Sequence, residues 1–312
     1  MGTLTTGPDM PFSDYARAWL DGHLASGYIC EATAEKDRHA IEAASRHLGS
    51  LPIGAISADD LAGLVLFLRT QGARDGRGLS GTTSRTVYLV VRQVLSHAAL
   101  MGHVGCDPCA HVRPPVADTD ERVPLAPGRA RALADALVAG APSAVKAAGL
   151  LALSCGLRRG EACALRWDDV DLAIPSVTVS RAVSGPMRRL RAPKSRAGRM
   201  TVPVPPGAAT ALSRWRREQG GGDFVVGGHA AADPCRIGKG WSAWAEGNGF
   251  PGATLHVLRH TYATLLCAGG ADIVTAASLM GHSGTAMLSR VYAHRVDERV
   301  LAATRGIGSA LF

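Results

Sequence analysis

Between Thr254 and His294 the chain reads TLHVLRHTYATLLCAGGADIVTAASLMGHSGTAMLSRVYAH, which gathers cations, imidazoles and phenols into one stretch. His256 and Arg259 stand three positions apart, so on a helix both project toward the same target. Met280-Gly281-His282 puts a histidine directly after a glycine able to end a helix, and Tyr292 follows with Ala293 and His294. Such a set suggests chemistry on an anion. An earlier stretch, Cys155-Gly156-Leu157-Arg158-Arg159-Gly160-Glu161, running on to Ala164-Leu165-Arg166-Trp167-Asp168-Asp169-Val170, supplies more arginines and a carboxylate.

If that anion is a phosphodiester, breaking it while conserving its energy requires a nucleophile that stays attached to the phosphate. A tyrosine can do this, but with an ordinary pKa of about 10 it needs cationic or basic neighbours at neutral pH. The transferring phosphate gains charge on its non-bridging oxygens, which the planar fork of an arginine can hold with parallel hydrogen bonds. The departing 5′ oxygen leaves poorly unless something donates a proton to it.

Taken in order, G-L-R-R-G-E, H-x-x-R-H, M-G-H-S and V-Y-A-H, with Lys194 between the first two, resemble the tyrosine recombinase (phage integrase) family and its Xer-like members. The resemblance spans residues 12–305, weakly in the first third and strongly beyond it. It implies Tyr292 as nucleophile, Arg158 and Arg259 as the phosphate-holding pair, and Lys194 as general acid. His256 and His282 would hydrogen-bond the phosphate and help move protons, and Glu161 would orient Arg158 or a histidine. Tyr262 matches an ordinary core aromatic of the family. Arg159 reads as surface charge, although it rivals Arg158 by position. From His282 to Tyr292 the chain runs one residue longer than the usual family spacing, with Gly284 and Thr285 the place for the extra residue.

The activity implied is site-specific DNA cleavage and rejoining through a 3′-phosphotyrosyl link, as an integrase or recombinase of a mobile element. Xer-type dimer resolution is an alternative within the class. A DNA-binding protein without strand exchange and a type IB topoisomerase are alternatives outside it, the first disfavoured by the complete residue set and the second by the Xer-like size and four-helix front. The expected partner is double-stranded DNA, with a monomer in solution assembling as four protomers on two duplexes, together with an accessory DNA-bending or directionality factor. No Asp or Glu cluster offers divalent-metal spacing, so neither metal, ATP nor another cofactor is expected.

A chain of 312 residues exceeds one comfortable core, so two domains are expected. The fold class read from the pattern is mainly α with a small antiparallel β-sheet (α+β). Residues 1–11 read as disordered, 12–111 as a helical core-binding domain, 112–127 as a Pro-broken linker, and 128–312 as the catalytic domain with a C-terminal tail. The eleven residues before Phe12 are too few for the separate arm-binding domain that other family members carry. The residues from Asp297 to Phe312 would dock on a neighbouring subunit or fold on their own domain.

In the first domain, Phe12, Tyr15, Ala16, Trp19 and Leu20 make one apolar helical face. A second helix is expected from Thr33, as N-cap, to Leu48. Ser57 to Asp60 forms a capping box for a third, and Ser80 or Thr82 caps a fourth. In the second domain helices are expected at 128–139, 143–154, 208–219 and 237–246. Strands at 174–179, 187–191 and 199–204 would form one antiparallel sheet, with Lys194 at the tip between the last two.

The formal net charge of +8 is unevenly placed. Residues 1–115 hold ten Lys and Arg against eleven Asp and Glu, whereas the remainder holds 24 against 15. The excess lies with the motifs, which fits a polyanion partner. No run of apolar residues is long enough for a membrane span and no signal-peptide layout opens the chain, so a cytoplasmic protein is expected. Seven scattered cysteines read as reduced. Cys106-Asp107-Pro108-Cys109 has zinc-ligand spacing but no second pair nearby, and reads as a helix end before the linker.

Overall fold

A computed structural model describes residues 7–118, 123–184, 189–191 and 199–280, in two compact units that divide between Glu121 and Arg122, inside the expected linker. The fold is mainly helical, with short antiparallel ladders confined to the second unit.

The first unit holds α1 (Phe12–Ala25), α2 (Glu31–Leu48), α3 (Ala58–Gln71) and α4 (Gly81–Leu100). All five residues of the expected α1 face are buried. α2 begins two residues before Thr33. The Cys30 carbonyl accepts from the Thr33 and Ala34 N–H groups, Glu31 favours the positive helix end, and the Thr33 hydroxyl meets Cys30 Sγ at 3.4 Å instead of capping. The capping box of α3 is present, with Ser57 Oγ accepting from the Asp60 N–H at 3.2 Å and Asp60 Oδ2 accepting from the Ser57 N–H at 2.9 Å. Ser80 caps α4, and the Thr82 N–H donates to Asp118 Oδ2 at 3.3 Å.

Pro8 and Met10, placed by sequence in a loose start, are held by their carbonyls, which accept from the Gly54 and Ile53 N–H groups. The first part of the expected linker is likewise tied down. Tyr88 Oη donates to the Val112 carbonyl at 2.8 Å and Arg85 to that of Pro115 at 3.1 Å, so residues 112–118 run back along α4. Cys109 is buried in this unit while Cys106 is exposed.

The second unit is built around α6 (Ala144–Cys155), which packs against α5 (Pro127–Val138), α7 (Arg159–Ala164), α8 (Pro206–Glu218), α9 (Pro234–Gly247) and α10 (Leu255–Ala268). Its residues are apolar on nearly every side, as a helix surrounded by others must be. Gly149 lets Trp241 of α9 lie against the helix axis; a Cβ there would stand 2.1 Å from the indole. α11 (Ile273–Leu279) follows α10. No described helix is long and apolar enough to cross a membrane.

The strands differ from expectation. β1 (Val170–Asp171), β2 (Ser176–Val179) and β5 (Met200–Pro203) form one sheet in the order β1-β2-β5, while β3 (Ala182–Ser184) and β4 (Arg189–Arg191) pair separately. The first and last expected strands therefore pair with each other, and the middle one pairs with β3, which the sequence pattern hid. One long hairpin accounts for both ladders. Val179 pairs with Met200 and Ala182 with Arg191, so only Ser180 and Arg181 separate β2 from β3 along the chain. Lys194, between β4 and β5 in sequence, lies outside the described residues.

Candidate active site

α6 ends at Gly156, whose φ of 66° is the left-handed conformation that closes helices and favours glycine. Space makes a second demand, because a Cβ here would stand 2.3 Å from the Tyr262 ring. Tyr262 is a buried core aromatic, its hydroxyl pushed up to about 12, chiefly by burial.

Beyond Leu157 the chain turns into α7 with Arg158 at the N-cap position and Glu161 in the first turn. Glu161 Oε2 accepts from the Arg158 backbone N–H at 2.7 Å, and Oε1 accepts from Arg158 Nη1 at 2.8 Å. The same carboxylate, itself buried, stands 3.7 Å from Nη1 of Arg259 on α10. One acid thus faces both arginines. Arg159 does not share it; its guanidinium instead packs over Gly238 of α9.

The two arginines differ in setting. Arg158 keeps 43% of its side chain exposed, whereas Arg259 keeps 3%. Arg259 donates through Nη1 to the Gly156 carbonyl and through Nη2 to the Met280 carbonyl. Both acceptors end helices, α6 and α11, where carbonyls lack intrahelical partners and the dipole is negative. Burial, and secondarily the charge of Arg158, pull the Arg259 guanidinium down to about 10, against the pull of Glu161 and Tyr262, so it remains a cation at neutral pH.

His256 occupies the first turn of α10 and is exposed, while Arg259 in the next turn is buried. His256 Nε2 stands 3.0 Å from Nε2 of His260, a residue to which the sequence reading assigned no role. The structure therefore brings Arg158, Glu161 and Arg259 together and sets His256 on the same helix as Arg259. His282 and Tyr292, like Lys194, lie outside the described residues. The nearest described neighbour of His282 is Met280, held by Arg259.

Gly160 connects this cluster to the hairpin. A Cβ at Gly160 would stand 2.5 Å from the Val183 carbonyl oxygen, so its bareness lets β3 lie directly on α7. Neither this contact nor the two carbonyls on Arg259 could be read from side-chain types. The glycines at 156 and 160 were the available signal, because each marks a close approach.

Residues 129–299 match the family model described as the phage integrase family. This chain belongs to that family. Among curated relatives, the tyrosine recombinase XerC of Xanthomonas campestris pv. campestris is 29% identical, over 94% of this chain and 88% of the relative. XerC of Xylella fastidiosa is 27% identical, over 82% of this chain and 86% of its own. In fold, the chain is similar to the Tn1549 transposon integrase in complex with transposon right end DNA, with a TM-score of 0.77 at 19% identity, covering 96% of this chain and 100% of that one. It is also similar to a lambda integrase tetramer bound to a Holliday junction, with a TM-score of 0.68 at 18% identity, covering 88% and 78%. The chain is accordingly a tyrosine recombinase, and its cluster of arginines lies in the part that the family model matches.

Proposed function

We propose that this recombinase binds double-stranded DNA and cuts and rejoins it at specific sites through a phosphotyrosyl intermediate. The Tyr292 hydroxyl attacks the scissile phosphorus, its proton passing to His282, and forms a 3′-phosphotyrosyl ester. The bond to the 5′ oxygen breaks, and that oxygen takes a proton from Lys194. Arg158 and Arg259 hold the non-bridging oxygens, His256 and His282 hydrogen-bond the phosphate, and Glu161 fixes the arginines. Attack by the partner strand's 5′-hydroxyl then releases the tyrosine. The bond energy stays in the ester throughout, so the exchange draws on no high-energy cofactor.

The observation that carries this reading is the carboxylate of Glu161 set against two guanidiniums from distant parts of the chain. A buried, pre-positioned cation beside a more exposed one suits an anion whose charge grows during reaction. The charge distribution agrees. The second unit holds 24 Lys and Arg against 12 Asp and Glu, whereas the first holds 10 against 14.

By analogy with the lambda integrase tetramer bound to a Holliday junction, four copies act together on two duplexes; the setting proposed is the cytoplasm, with an accessory DNA-bending or directionality factor. Integration of a mobile element is the primary reading. The long alignment to XerC favours dimer resolution as the second. Half-sites flanking the chain's own gene would support the first, and half-sites near a replication terminus or on a plasmid the second. A nicked suicide duplex tests the chemistry: wild type should accumulate a covalent protein–DNA complex and Tyr292→Phe none, whereas equal trapping would move the nucleophile elsewhere.

A further inference from the structure

His256 and His260 occupy successive turns of α10, with ring centroids 4.6 Å apart, planes at 84° and their Nε2 atoms 3.0 Å apart. At that distance one Nε2 carries a hydrogen and donates, and the other accepts through its lone pair; two protonated rings would set N–H against N–H. With both rings neutral, the direction of this bond decides which nitrogen of His256 bears its proton. If His256 donated, its remaining nitrogen, Nδ1, would carry a lone pair and repel a phosphate oxygen. If His260 donates, His256 accepts at Nε2 and holds its own proton on Nδ1, ready to donate to an anion.

We propose that His260 is a positioning residue for the recombination reaction, donating its Nε2 hydrogen to His256 Nε2 and thereby fixing His256 as the Nδ1–H tautomer that faces the scissile phosphate. This rests on the assignment of His256 to the phosphate made above. A partner that fixes the tautomer and ring orientation of a working imidazole is a recurrent device; at metal sites its loss typically costs about 10–100-fold, and the lower end of that range is expected here.

Two measurements test it, one without DNA. In the full-length protein with 15N-labelled histidine, long-range 1H–15N spectra should show His256 protonated at Nδ1. His260→Leu should shift it toward the Nε2–H form, and His260→Gln, whose amide can donate from a similar reach, should hold it at Nδ1. On a nicked duplex bearing half-sites that wild type selects from random DNA, His260→Leu should lower the covalent complex about tenfold at unchanged DNA binding, and His260→Gln should restore most of it. An Nε2–H tautomer of His256 in wild type, or equal trapping by wild type and His260→Leu, overturns the proposal. Undiminished trapping by Tyr292→Phe would overturn the nucleophile assignment instead, and the tautomer spectra would still decide the His260 bond.

Discussion

The guanidinium of Arg259 donates to the carbonyl oxygen of Gly156, a residue 103 positions earlier. Through that bond the turn before Arg158 and the helix carrying Arg259 share one geometry. Glu161 adds the second link and the Met280 carbonyl a third. The arginine cluster is therefore a joint among three helix ends.

Gly156 is the most exposed to failure of the parts in that joint. Gly156→Ala puts a side chain in the left-handed region and a methyl into the Tyr262 ring. The expected loss is roughly 2–5 kcal/mol, from backbone strain plus overpacking. Urea unfolding of the second unit should show it, with Tyr262→Leu in the same chain relieving the steric part but not the backbone part.

Glu161→Gln keeps an acceptor for the Arg158 backbone but removes the charge between the arginines. Its stability cost should be about 2 kcal/mol, because the two carbonyls still hold Arg259. Cleavage should suffer more than stability. Misplacing Arg158 by an ångström would lower covalent-complex formation by about a hundredfold. DNA affinity, measured by mobility shift, should change little.

Gly160→Ala pushes on the Val183 carbonyl and hence on the hairpin whose second arm leads to Lys194. The expected overpacking cost is about 1–3 kcal/mol. Suicide-duplex trapping should fall while binding holds. A duplex with a 5′-bridging phosphorothiolate, whose sulfur leaves without a proton, should recover most of the lost rate if the general acid is what moved.

Alkaline pH should weaken the fold. Burial pushes the thiols of Cys155 and Cys163 up to about 11 and about 12, and the Tyr262 hydroxyl to about 12. Above about pH 9 the unfolded chain ionises these thiols while the folded one does not, so the unfolded state is favoured as pH rises. Their contribution is fully present below pH 9 and is lost on the way to pH 11–12. Urea midpoints measured from pH 8 to 11 should fall, less steeply in Cys163→Ala. At pH 8 a thiol-specific dye should label the exposed Cys106 and Cys235 quickly and Cys155 and Cys163 only on unfolding.

What could be read from sequence was what local chemistry encodes. The capping box at Ser57, the apolar face from Phe12 to Leu20 and the glycine closing α6 each depend on neighbours within a turn or two, and each is present. The spacing of Arg158 and Glu161 on one short helix also foretold their contact. Strand pairing escaped because Ser180 and Arg181 divide β2 from β3, leaving segments too short to show alternation. The burial of Arg259 escaped for a different reason. Its partners are main-chain carbonyls, which every residue possesses, so no side-chain pattern announces them.

Because Arg259 draws on the ends of both α6 and α11, no segment of this enzyme shorter than the span between them can assemble the arginine cluster by itself. A nascent or half-melted chain meets a chromosome unarmed. On the mechanism proposed here, the capacity to break a strand arises only with the folded architecture.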